Sequence, residues 1–213
     1  MPLTKKTRAV LYVVMLAAAA LCAVSVLSIP PAIGLGYGVR LAMFHGASTW
    51  VIMATFTLAG AAGAAYLLGR TRLRAWGEAF RWVSLPLWTV NTVLGIVSMK
   101  VLWGSILWDE PRLLMSFGLL GGALVIFAVQ MIFDSPRHPA VLDGVLAVTL
   151  WALVLVLPNL FHPDSPVFAS SGAYVRGFFG MVGSLAVIAL AVTLLVVGRH
   201  RRETDEIVVA VGE

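Results

Sequence analysis

The chain has 213 residues, 60% of them apolar and 12% charged, with a net charge of +5. The charged share is about half that of a typical soluble domain. With a mean hydropathy of +0.95, this composition excludes a soluble globular protein, a disordered chain and a disulfide scaffold.

A crossing helix needs roughly 20 apolar residues. Six stretches with few or no charges meet or approach that length: 9–29, 46–69, 82–99, 113–133, 144–161 and 177–198. The expected fold is therefore all-α, a polytopic membrane protein with six transmembrane helices. The third and fifth stretches are the shortest and carry Pro86 and Pro158. A proline within a span is tolerated where neighbours satisfy the freed carbonyl. Lys5, Lys6 and Arg8 precede the first stretch, which is too long for an ordinary signal-peptide core and lacks a small-x-small cleavage site. It reads as a retained helix. The expected organisation is one six-helix domain over 1–202 and a short tail over 203–213.

Orientation follows from the basic residues. Lys5, Lys6, Arg8, Arg70, Arg72, Arg74, Arg81, Arg137, Arg199, Arg201 and Arg202 fall on one side. Arg40, Lys100, Arg112 and Arg176 fall on the other. This asymmetry puts both termini in the cytoplasm and three loops outside. It also accounts for the positive charge, which is spread over short loops with no clustered nucleic-acid motif.

One cysteine, Cys22, excludes an internal disulfide, and the absence of Cys-x-x-Cys-His excludes covalently attached c-type heme. The spans read as almost free of ionisable groups, with Asn91 and Thr92 the main polar pair and Asp143 facing water near the start of the fifth helix. An ion- or proton-coupled transporter needs buried acids or bases along its path, so that class is disfavoured. Small-residue spacings, Gly118 with Gly122 and Gly180 with Ser184, suit close helix packing.

Polar chemistry concentrates in the outer loops. His45 ends the first and His162 begins the third, each at the mouth of a helix. The middle loop carries Trp103, Gly104, Trp108, Asp109, Glu110, Pro111 and Arg112. Neutral imidazole is a good axial ligand for heme iron, tryptophan offers a flat amphipathic platform, and Arg40, Lys100, Arg112 and Arg176 are placed to pair with propionates. Each feature also has a plainer reading. Interfacial tryptophans anchor helices, a histidine at a helix mouth serves as a cap, and Asp109, Glu110 and Pro111 suit an ordinary helix start.

The order of these motifs resembles the cytochrome c assembly family of heme-handling membrane proteins. Within it, the chain is most similar to the heme exporter C-type subunits. The residues that carry the resemblance are Arg40, His45 and Trp50, then Trp103 and Gly104, then Trp108, Asp109, Arg112 and Leu113, then Asn159 and His162. The pattern departs from the family at Ile106 and Leu107, where further tryptophans usually stand, in the spacing around Trp108 and Asp109, and at Gly46 and Ala47 after the histidine. The resemblance implies a non-enzymatic protein of the inner membrane. His45 and His162 would hold a transiently bound heme b as axial ligands, with Trp50, Trp103, Trp108, Asp109, Arg112 and Arg40 around it. It also implies handover to a periplasmic heme chaperone, with ABC transporter subunits and a small single-span subunit as partners. The chain has no Walker motif, so ATP hydrolysis would belong elsewhere. Two other classes remain: a b-type cytochrome membrane anchor in electron transfer, and a cofactor-free permease or structural subunit.

Overall fold

The structure, a computed structural model, describes residues 3–133, 135–157 and 172–211, with side chains as far as Arg199. The described residues form six long helices and no β-strand. These are α1 (Lys5–Leu27), α2 (Gly38–Leu67), α3 (Arg74–Trp103), α4 (Pro111–Ile132), α5 (Arg137–Val156) and α6 (Gly172–Val211). Each is long and apolar enough to cross a membrane, α6 over Gly172–Arg199. The chain is an all-α polytopic membrane protein.

The helices start earlier than charge-free runs indicate. α2 begins eight residues before Gly46 and takes in Arg40 and His45, which the sequence placed in a loop. α3 begins eight residues before Trp82 and takes in Arg81. The reason is that a helix ends where its hydrogen bonding ends, whereas a charge only marks where a side chain reaches polar surroundings. α6 runs on through the stretch read as a tail, as far as Val211. Two ends follow local rules. Pro111 occupies the first turn of α4, and the Glu110 carboxylate accepts from the Leu113 N–H at 2.8 Å, the capping role expected of this position. Gly104 closes α3 at a positive φ of 73°, a conformation that glycine adopts without cost.

α2 is the hub, packing on α1, α3, α5 and α6, while α4 closes the far side against α3 and α5. Between apolar helices in lipid there is little hydrophobic driving force, so close packing and interhelical hydrogen bonds hold the bundle together. Gly60 and Gly63 let α2 approach α5. A Cβ on Gly63 would sit 2.8 Å from the Ala140 carbonyl oxygen, and one on Gly60 at 2.8 Å from the Ala147 Cβ. Gly180 of the expected pair abuts Ser25 of α1, whereas Gly118 faces open space. The main core joins Ile52, Phe56, Trp88, Leu119, Ile126 and Leu150 across α2–α5. A second joins Cys22, Ile29, Met43, Phe178 and Met181 across α1, α2 and α6.

Successive helices run antiparallel, so one end of the bundle gathers the end of α1, the start of α2, the end of α3 and the starts of α4 and α6. This is the Trp-Asp end. The opposite end carries Arg70, Arg72, Arg74 and Arg137 and is called the arginine end.

Candidate functional site

Seven of the eight residues singled out in the sequence are described; six lie at or within about 10 Å of the Trp-Asp end, and Trp50 lies about 18 Å along α2, near its middle. His162, with Asn159, lies outside the described residues.

His45 sits in the second turn of α2, not at its mouth. Its half-buried ring lies against α3 at Gly95. A Cβ built on Gly95 would be 3.1 Å from His45 Cε1 and 3.5 Å from Nε2. Its carbonyl oxygen accepts from the hydroxyls of Ser48 and Thr49, both at 2.8 Å. The one Ser48 hydroxyl proton goes either to that carbonyl or to Asn91 Oδ1, which is also within hydrogen-bond reach, and Asn91 Nδ2 donates to Thr49 Oγ1 at 2.9 Å. The buried Asn91 therefore ties α3 to the turn of α2 that carries His45. Thr92, its expected partner, instead donates to the Trp88 carbonyl in its own helix.

Arg40 is engaged elsewhere. Its Nε donates to the Ile29 carbonyl and its Nη2 to the Leu27 carbonyl, both at 2.8 Å. The guanidinium also stacks over Tyr37 at 4.5 Å. It thus caps the end of α1, whose last carbonyls have no partner within the helix. Lys100 likewise donates to the Gly104 carbonyl at 2.8 Å and closes α3. Trp50 meets Phe178 edge-on, with ring centroids 5.7 Å apart, and so joins α2 to α6.

The Trp-Asp loop presents a more open surface. Trp103 is 36% and Trp108 60% exposed, and Asp109 is exposed. Arg112, in the first turn of α4, differs from Arg40. Its Nε is buried and has no hydrogen-bond partner among the described residues. A guanidinium N–H in that position calls for an acceptor, and an anion supplies the strongest one.

No family model, no curated protein and no solved structure matches this chain.

The arginine end holds polar residues that sequence reasoning placed wrongly. Arg81 and Asp143 are both buried and paired, with Arg81 Nε 2.8 Å from Asp143 Oδ1 and Nη2 on Oδ2. Arg81 Nη1 donates to Gln130 Oε1 at 2.6 Å, and Gln130 Nε2 donates to Glu78 Oε1 at 2.8 Å. The network connects α3, α4 and α5 around a cavity of about 220 Å³. The spans are therefore not free of ionisable groups, and Asp143 does not simply face water. The signal available in the sequence was Gln130, a long polar side chain inside an otherwise apolar run.

Proposed function

We propose that this protein handles heme in cytochrome c biogenesis, binding heme b transiently at the Trp-Asp end for transfer to a periplasmic heme chaperone. In this reading it lies in the inner membrane with both termini cytoplasmic, and it transfers heme without catalysing a reaction. ABC transporter subunits and a small single-span subunit would be its partners. Support comes from the order of the motifs and from the basic-residue asymmetry between the two ends.

The observation that carries the reading is the buried Arg112 Nε with no partner among the described residues, beside the exposed Trp103 and Trp108. A heme fits that donor set. A propionate would satisfy Arg112, the indoles would lie along the porphyrin, and His45 and His162 would supply imidazole nitrogens to the iron. Arg40 is already committed to two carbonyls of the α1 end, so Arg112 is the better propionate partner. The bound heme would supply the cargo and its colour. The chain supplies recognition of a flat apolar face and an anionic edge. A site that must also release its cargo gains from water access at the helix ends.

The test is an absorption spectrum and a pyridine hemochrome assay on detergent-purified protein, with His45→Ala, His162→Ala and Arg112→Gln alongside. The expected result is a Soret band in the wild type that weakens or shifts in both histidine variants, and a lower heme yield in R112Q. A colourless wild type, after expression with added heme and the partner subunits, would sink the reading.

A further inference from the structure

The arginines of the bundle differ in what answers their N–H groups. Arg40 donates to two carbonyls of the α1 end, and Arg81 to Asp143 and Gln130. Arg112 belongs to the heme reading. Arg8, in the first turn of α1 at the arginine end, has a buried Nε with no hydrogen-bond partner among the described residues. An N–H of a cation sealed from water without an acceptor is costly, so this atom points to a ligand unrelated to heme.

Helix packing explains why that atom is covered. α1 packs mainly on α6. The covered side of α1 runs through Leu11, Met15, Ala18, Cys22 and Ser25 at helical spacing, and the half-buried Arg8 continues it toward the arginine end. Leu3 rests on Gly198 and Ser25 on Gly180, so Arg8 enters the seam between α1 and α6 near the level of Leu194. The chain supplies no acid there. α1 and α2 contain no aspartate or glutamate, and α6 has none from Gly172 to Arg202. Glu203, the next along α6, stands about two and a half helical turns past that level. The charge nearest Arg8 in α1 is positive: Lys5 lies one turn before it on the same face, with Lys6 beside it, and both are exposed.

The neighbourhood indicates the kind of anion. One turn further into the membrane, α1 presents Tyr12, Val13 and Leu16 outward, all well exposed. A cationic donor in a helix seam, two lysines at the helix end and an apolar surface next to them match a phosphate that carries acyl chains. A guanidinium grips such a phosphate with two N–H groups in a fixed fork, a geometry that a lysine ammonium cannot reproduce.

We propose that the α1–α6 seam at the arginine end binds one anionic phospholipid of the surrounding bilayer, with its phosphodiester on the guanidinium of Arg8. Lys5 and Lys6 add positive charge beside the head group. They favour a net anionic head, such as that of phosphatidylglycerol. They repel the ammonium of the zwitterionic phosphatidylethanolamine and phosphatidylcholine.

Native mass spectrometry of the detergent-purified full chain tests this, with the three lipids added at matched acyl chains. The expected result is one phosphatidylglycerol held about tenfold more tightly than either zwitterionic lipid, a difference worth about 1.4 kcal/mol. Arg8→Gln should remove that preference. Arg8→Lys should cut it by more than half, because lysine keeps the charge but loses the fork. Arg72→Gln, an exposed arginine between α2 and α3 at the same end, should keep it. Melting temperatures matching wild type show that the variants are folded, and if R8Q melts early, R8K decides. Equal retention of the three lipids, an unchanged preference in R8Q, or wild-type retention in R8K would each overturn the proposal, the last two by showing that diffuse positive charge holds the lipid. A preference that appears only in the triple variant E203Q/D205N/E206Q also overturns it, since the chain's own acids would then occupy Arg8. Inorganic phosphate separates the two sources of this chemistry. If millimolar phosphate raises the melting temperature of the lipid-free wild type but not of R8Q, and no phosphatidylglycerol is retained, the lipid source is overturned.

Discussion

The imidazole of His45 lies against the backbone of Gly95, with no side chain between α2 and α3 at that point. A methyl group on Gly95 would meet the ring at 3.1 Å, tighter than ordinary contact, so the ring must move by a few tenths of an ångström. Gly95→Ala should therefore act on His45 specifically. A double-mutant cycle of thermal unfolding in detergent, combining G95A with H45A, checks this. The coupling expected of directly touching groups is about 0.5–3 kcal/mol. If the two changes add without coupling, the ring does not rest where this packing places it. In heme-loaded protein, G95A should also shift the Soret band without abolishing it.

Arg40 gives a sharper choice between two roles. The sequence pointed to a propionate partner, whereas the structure gives its Nε and Nη2 to the carbonyls of Ile29 and Leu27. Arg40→Ala should lower stability by about 1–3 kcal/mol, the cost of leaving partly buried acceptors without donors. It should leave heme content per folded protein close to wild type. Arg112→Gln should do the reverse, with little change in melting and a loss of heme. Heme loss in R40A at unchanged stability would reassign the propionate to Arg40.

The parts of the molecule that the sequence made readable share a physical feature: they depend on local composition. Six apolar stretches became six helices, and the Glu110–Pro111 start of α4 took the expected capped form. The Trp-Asp loop came out exposed at the end that also carries His45. What composition could not report was partnership across helices. Arg81 read as a loop charge because a charged residue ends an apolar run. It is buried because Asp143, 62 positions later, arrives on α5 to neutralise it. Gly95 gave no signal at all, being one of 20 glycines, and its role is defined only by the ring of His45 facing it. The argument against a transporter from missing buried charges also falls away with that pair, although the cavity beside it occupies one end of the bundle rather than a path through it.

The Arg81–Asp143 pair makes its own prediction. Removing one partner of a buried pair leaves the other charged and uncompensated, which costs about 3–5 kcal/mol. Arg81→Met and Asp143→Leu should each lower the melting temperature sharply in detergent. Arg81 also bonds Gln130, so R81M should loosen α4 as well as α5. The double variant R81M/D143L should recover much of the loss, because two apolar side chains of similar volume need no desolvation to be buried. Failure of the double variant to exceed either single one would mean that Gln130 and Glu78, rather than the pair, hold that end together.

Asn91 supplies the last case, because its amide links the middle of α3 to the turn below His45. Its Nδ2 donates to Thr49, whose hydroxyl donates to the His45 carbonyl, and its Oδ1 competes with that carbonyl for the Ser48 proton. Within a membrane such interhelical bonds are worth about 0.6–2 kcal/mol, since the separated helices find other partners for polar groups. Asn91→Leu should therefore cost little stability, about 1 kcal/mol. Its larger effect should fall on the orientation of His45, because the hydroxyls lose their anchor on α3 and the turn is free to rotate. Ethoxycarbonylation of the histidine by diethyl pyrocarbonate measures this directly and needs no heme. The rate at His45, read by peptide mass mapping, should rise several-fold in N91L and stay unchanged in Thr92→Val, whose hydroxyl bonds only within α3. Equal rates in N91L and wild type would show that the Gly95 contact alone holds the ring.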